Sequence, residues 1–341
     1  MINFLIKKYL FIPRYVSAIN IQLPNDYKFH LHFVNDKALL SSELLKWSHI
    51  FSRNSIIEEE CQSPIFSFGY AAHNGPHTWK MFYPESTGYN QSPINITTTI
   101  AIGEYDNIEW IGHNTVPCSM IMANDGNSGT IDIRFYILTN RETSYNIVIV
   151  CGTWCGRAHP FIKGGPLTDT YNFHSMMFHW GPSDNEGSEH TINHVRYAME
   201  LQFIHVKRGL FSPLQAVLLG AKDGVVIVSS FFNIMPVDNP YLDCIVTNLR
   251  YITQPGSKVY IPPFPLSWLH YTEGRNYYAY HGSLTQPPCS EIVTWLIDPL
   301  PVAISSNQVA QFREICSSDG LLLTNCRPVQ YLNERDVYHY A

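Results

Sequence analysis

What this chain has little of narrows the field first. Only 15% of its 341 residues are charged, the balance is −6, and Lys and Arg form no cluster. A basic stripe able to neutralise phosphates is therefore lacking, and nucleic acid is not an expected partner. No run of about 18 apolar residues exists, so no membrane-spanning helix is expected. Eight cysteines stand at 61, 118, 151, 155, 244, 289, 316 and 326. None makes the CxxC pairs of a zinc module, and Cys151-Gly-Thr-Trp-Cys155 is one residue too long for a redox dithiol. Scattered reduced thiols in a cytoplasmic protein are the expected state. No internal repeat is visible.

Apolar and aromatic residues, by contrast, are plentiful at 45% and 13%, ample for one large core. The stretch from Tyr171 to Val206 organises the rest. It reads as two extended segments joined by a polar turn. Side chains alternate along a strand, so Ser175, Met177 and His179 share one face of the first segment. Glu200, Gln202 and Ile204 share a face of the second, with His205 turned away. If the segments pair, Met177, His179, Gln202 and Glu200 converge on one spot. It has the outline of a metal site with unsuitable ligands.

Four motifs, FHWG, GSEHTIN, MELQFIHV and GSLTQPPCSEIVTW, occur in that order and together resemble the alpha-carbonic anhydrase family over roughly residues 68–335. The resemblance implies a single, mostly-β domain around a large, mainly antiparallel sheet with a few short helices. It also implies a zinc held by three histidines, at positions that here carry Met177, His179 and Gln202. One ligand of three remains. That pattern is similar to the non-catalytic, carbonic anhydrase-related branch, type VIII above all, where only the first ligand is replaced. The resemblance further makes Thr285 and Glu189 the pair that orients a metal-bound hydroxide, and Asn127 the place of a proton-shuttling histidine. An amide cannot shuttle protons at neutral pH. Leu284, Ile204, Ile227, Val293 and Trp295 match the wall of the carbon dioxide pocket, while Glu200 and His190 match residues behind the ligands. Ser175 replaces a glutamine that orients the first ligand, and Ser86 stands where secreted members carry the cysteine that partners the Cys289 position.

A thioether is a poor zinc ligand and an amide carbonyl a weak one. Structural zinc sites provide about 10–16 kcal/mol from four ligands, so losing two costs on the order of 6–8 kcal/mol. The expectation is thus a non-enzymatic family member without cofactor, acting by binding another protein. By family analogy that protein is the inositol trisphosphate receptor. The competing expectations are a zinc-dependent carbonate dehydratase with a rearranged site, and a small-molecule binder reusing the pocket.

Residues 1–66 read as an extension to a domain at 67–338. Within it, 41–60 has the pattern of one amphipathic helix, with Leu44, Leu45, Trp47, Ile50 and Phe51 inward. Lys7, Lys8 and Pro13 interrupt the apolar N-terminal run, against a targeting peptide. Residues 140–162 read as an insertion: a misassigned exon first, otherwise a functional loop or an extra edge strand. Alternation marks a strand at Ile131–Ile137. Further on, Ser212-Pro213 and Gly220 bracket a short helix, and Asp238–Ile252 shows the best helical spacing in the chain. Ser305 caps a last helix expected to run to Cys316.

Overall fold

The computed structural model describes residues 68–124, 148–154, 159–270 and 276–341. The extension at 1–66, the strand expected at 131–137 and Asn127 lie outside the described residues.

A thirteen-stranded sheet forms the frame. In chain order its strands are β1 (Ile100–Ile102), β2 (Ile108–Ile111), β3 (Ser119–Asn124), β4 (Val148–Thr153) and β5 (Phe161–Gly164). The long central strands β6 (Tyr171–Trp180), β7 (Met199–Lys207) and β8 (Val225–Ile234) follow. Then come β9 (Lys258–Ile261), β10 (Tyr277–Gly282), β11 (Val293–Ile297), β12 (Val302–Ile304) and β13 (Tyr338–Tyr340). The order across the sheet is β9-β3-β4-β6-β7-β8-β11-β10-β13-β1, with β12 beside β8 and the β2–β5 pair beside β6. Most neighbours are antiparallel; β8 with β11 and with β12, and β13 with β1, are parallel. This is the mostly-β architecture that the motifs implied.

The central strands are buried on both faces, which is why VVIVSSFF and MELQFIHV are nearly continuous in apolar and small residues. Along β8, Val226, Val228 and Phe232 enter one core while Val225, Ile227 and Phe231 enter another. The larger core takes Phe178, Trp180, Leu201 and Phe203 from the central pair.

Four expectations need correction. The described part of the 140–162 segment does not add an edge strand: Val148–Thr153 lies inside the sheet between β3 and β6, with Val148 and Val150 fully buried. Val148 and Val150 face the core, while Ile149 and Cys151 on the other face are half-buried. The helix expected over 238–252 is broken into a 3₁₀ turn (Pro240–Leu242), one α turn (Asp243–Val246) and a second 3₁₀ turn (Leu249–Tyr251). Asn248 Nδ2 takes the Cys244 carbonyl at 2.9 Å, the acceptor its own backbone N–H would need, and that N–H bonds Ile245 instead. Leu242, Ile245, Leu249 and Ile252 stay buried regardless. The last helix keeps its capping box, Ser305 with Gln308, but ends at Phe312, and Cys316 pairs with Leu321 in a short β-ladder. Finally, Cys118 is in a disulfide, so the thiols are not all reduced.

Candidate functional site

The register of β6 against β7 builds the site. Met177 faces Gln202 and His179 faces Glu200 directly across the pair. A bulge at His174 sets that register, since Phe173 pairs with His205 and Ser175 with Ile204. One extra residue reverses which face each side chain takes. Phe173 therefore joins the larger core, and Ser175, Met177 and His179 turn to the opposite side. The Ser175 hydroxyl bonds the His174 ring at 2.8 Å.

The turn after β6 carries two more of the motif residues. Gly187 permits it: a Cβ there would stand 1.8 Å from the Ala198 carbonyl oxygen. The chain can then pass under β7 and deliver Ser188, Glu189 and His190, all fully buried.

His179 is 0% exposed. Its Nδ1 lies 3.0 Å from the Asn325 carbonyl, which only accepts, so Nδ1 carries the proton and Nε2 a lone pair. No partner meets Nε2; the closest carboxylate oxygen, Glu189 Oε2, is 3.6 Å away. This imidazole keeps the pose of a metal ligand, with its far nitrogen held by a backbone carbonyl.

Its two companions do not. Gln202 Nε2 donates to Glu189 Oε2 at 2.8 Å and to Glu200 Oε1 at 3.0 Å. Both acceptors are carboxylates, so the amide nitrogen, which has no lone pair to give a metal, must face them. Met177 offers only its thioether, packed against the smaller core.

Glu200 is the hub. Oε2 accepts the backbone N–H groups of Glu189 and His190 at 2.9 and 2.8 Å. Oε1 accepts from His190 Nδ1, Gln202 Nε2 and Ser229 Oγ at 2.9, 3.0 and 2.8 Å. Burial alone would raise its pKa, but the charge and hydrogen bonds of His190 outweigh it and hold the carboxyl at about 2. His190 continues the chain outward through Tyr280 to Ser92, at 2.7 and 2.8 Å. Glu189 accepts from the Arg327 backbone N–H at 2.9 Å as well as from Gln202. Among the described residues Thr285 makes no hydrogen bond to Glu189; Gln202 holds the oxygen that faces the site.

Ile204, Ile227, Val293 and Trp295 all belong to the smaller core, and Leu284 packs against it. Gln286 donates to the Tyr70 hydroxyl at 3.0 Å. A catalytic zinc needs three donor atoms around an open fourth position. These residues supply one good donor, one weak one and an amide turned the wrong way, so they do not fit it. Among the described residues no three His, Cys, Asp or Glu side chains are arranged to hold a metal.

The sequence reading missed a second histidine group, His113 and His270 around His205. Nothing in the spacing signals it, because the three lie on segments far apart in the chain.

Comparison with known proteins agrees with this architecture. The eukaryotic-type carbonic anhydrase profile matches residues 74–341. The chain is 32% identical over 275 residues to human carbonic anhydrase 3, covering 79% of this chain and 96% of that protein. It is 32% identical to mouse carbonic anhydrase 1 over 276 residues (79% and 97%) and 34% identical to horse carbonic anhydrase 3 over 278 (79% and 96%). With the profile spanning most of the chain and the motif residues on the paired central strands, this protein belongs to the eukaryotic-type carbonic anhydrase family.

Proposed function

We propose that this family member is non-catalytic and acts by binding another protein. What supports the reading is one contact set, Gln202 Nε2 donating to both Glu189 and Glu200. The third ligand position is thereby a link in a closed hydrogen-bond network, and the first is a thioether. In this respect the chain is akin to the carbonic anhydrase-related branch, and analogy makes the inositol trisphosphate receptor the first partner to test. That step is one of fold-level analogy. A cytoplasmic location goes with such a partner, although the Cys118 disulfide is uncommon there.

One observation favours the rival reading, carbon dioxide hydration at a rearranged metal site: His179 Nε2 is buried and unpartnered. Comparing the wild type with His179→Ala decides between them. The expected result is no difference in zinc content after mild dialysis, hydration no faster than buffer in either, and equal affinity for the receptor. Stoichiometric zinc in the wild type that disappears in His179→Ala would overturn the non-catalytic reading. Equal zinc with a selective loss of receptor binding would make the pocket itself the ligand site.

A further inference from the structure

At the end of β8 the chain leaves an apolar run in water. Ile234, Met235 and Val237 are 36%, 49% and 74% exposed, and Pro236 among them is exposed as well. Leu300 and Pro301, on the turn feeding β12, are also exposed, just before the Val302–Phe232 pair. Apolar residues scattered singly over a surface need no explanation, but four in succession mark a contact surface.

The backbone there is open too. β7 pairs with β8 only as far as Met199 opposite Phe232, and the Ala198 N–H then donates to the Phe232 carbonyl at 3.0 Å. On the other side β12 runs parallel to β8, and the Met235 N–H donates to the Ile304 carbonyl at 2.8 Å. Neighbouring residues of a strand direct their peptide groups to opposite sides, so those of Ile234 point to the side that β7 has left. Among the described residues no strand pairs with Ile234 there. An unpaired strand end of this kind accepts an extended segment by ladder hydrogen bonds. Pro236 lacks an N–H and ends the ladder, so that segment is short.

Charge selects the occupant. Residues 232–246 and 297–312, which build this end of the sheet, contain Asp238, Asp243 and Asp298 and neither Lys nor Arg. Asp238 and Asp243 are exposed, while Asp298 is buried and its carboxylate accepts the Leu300 N–H at 2.9 Å. The Ser305 hydroxyl donates to Asp238 and fixes that carboxylate immediately beyond Ile304. A second copy of the chain would set these aspartates against themselves, in a protein whose balance is already −6. A basic segment is favoured instead.

We propose, resting on the protein-binding reading, that residues 233–237 are the docking strand for a partner protein, which adds a short extended segment of apolar residues interspersed with Lys or Arg. The segment's backbone pairs with Ile234, its apolar side chains cover Met235 and Val237, and its cations meet Asp238 and Asp243.

The test is fluorescence anisotropy of labelled, end-blocked peptides of alternating Ile and Lys added to the full chain, with twins carrying Glu for Lys or Ser for Ile. The Ile–Lys peptide should bind, more weakly as salt is raised, and neither twin should. Met235→Asp and Val237→Asp should each weaken it about 10-fold or more, and Asp238→Asn less. Adding a carboxylate strengthens a purely electrostatic attraction, so a loss in the Asp variants reports apolar docking. All three positions are exposed, and unchanged thermal midpoints check that the variants fold. An Ile–Lys peptide that does not bind the folded wild type, or binds Val237→Asp equally well, would overturn this surface and leave the protein-binding reading to the receptor comparison. Peptide binding as expected without receptor binding would support the surface and remove that receptor as the partner. A concentration-dependent dimer abolished by Val237→Asp would assign the surface to a second copy and overturn the proposal.

Discussion

Replacing Met177 and Gln202 together with histidine should raise zinc affinity at the strand-pair site by about 10⁴–10⁶. Each imidazole added contributes roughly 3–4 kcal/mol, and about 1.4 kcal/mol is a factor of ten. The geometry favours the pair over either single change. Met177 and Gln202 face each other across β6 and β7, and His179 already presents its Nε2 lone pair. Removing the Gln202 amide also releases Glu189 Oε2 and Glu200 Oε1, and Glu200 is then placed to accept from the new ring at 202. Met177→His alone leaves the amide in the way, and Gln202→His alone leaves two imidazoles. The gain should be strongly non-additive, as for residues sharing one partner. Competition with a chromophoric chelator measures it. Affinity in the double variant no higher than the sum of the singles would mean that the three positions do not meet at one point. Carbon dioxide hydration should rise above the buffer rate yet stay slow, because Thr285 makes no hydrogen bond to Glu189, whose oxygens are held by Gln202 and the Arg327 backbone N–H.

Glu200→Leu should prevent folding. The carboxylate accepts five buried hydrogen bonds, from two backbone N–H groups, a histidine, an amide and a serine. Each donor stranded costs about 1–3 kcal/mol, and the sum reaches the whole stability of an ordinary domain, about 5–15 kcal/mol. Glu200→Gln keeps one acceptor oxygen and should fold with a lower urea midpoint. A Glu200→Leu protein as stable as the wild type would show that this network is not what holds the turn under β7. The same carboxyl gives a pH dependence of known sign. Its folded pKa of about 2 lies below the unfolded value of 4.5. Its contribution, about 3 kcal/mol, is therefore present above pH 4.5 and lost as pH falls from 4.5 toward 2. Unfolding midpoints across that window should fall more steeply in the wild type than in Glu200→Gln.

The residue that was a ligand orienter in the family's scheme is here the structural centre of the site. That Glu200 would stand beside Gln202 on one strand face was legible from MELQ. That it would bond both the Gln202 amide and His190 was legible as a choice between partners, and the fold supplies both. The break in the helix at 238–252 was not legible. The periodicity of Leu242, Ile245, Leu249 and Ile252 records burial, which the broken form preserves, while one side-chain bond from Asn248 decides the backbone.

By itself, the sequence determined the family and the mostly-β frame, because those depend on residue identity and a period of two. Only the tertiary structure decided three other things. The bulge at His174 turns Phe173 away from the site, and alternation cannot count an inserted residue. Val148–Thr153 became an interior strand because β3 and β6 pair with it on either side, which no local pattern encodes. The meeting of His113, His205 and His270 depends on chain segments far apart in sequence being packed together, where burial removes the water that would otherwise satisfy their nitrogens.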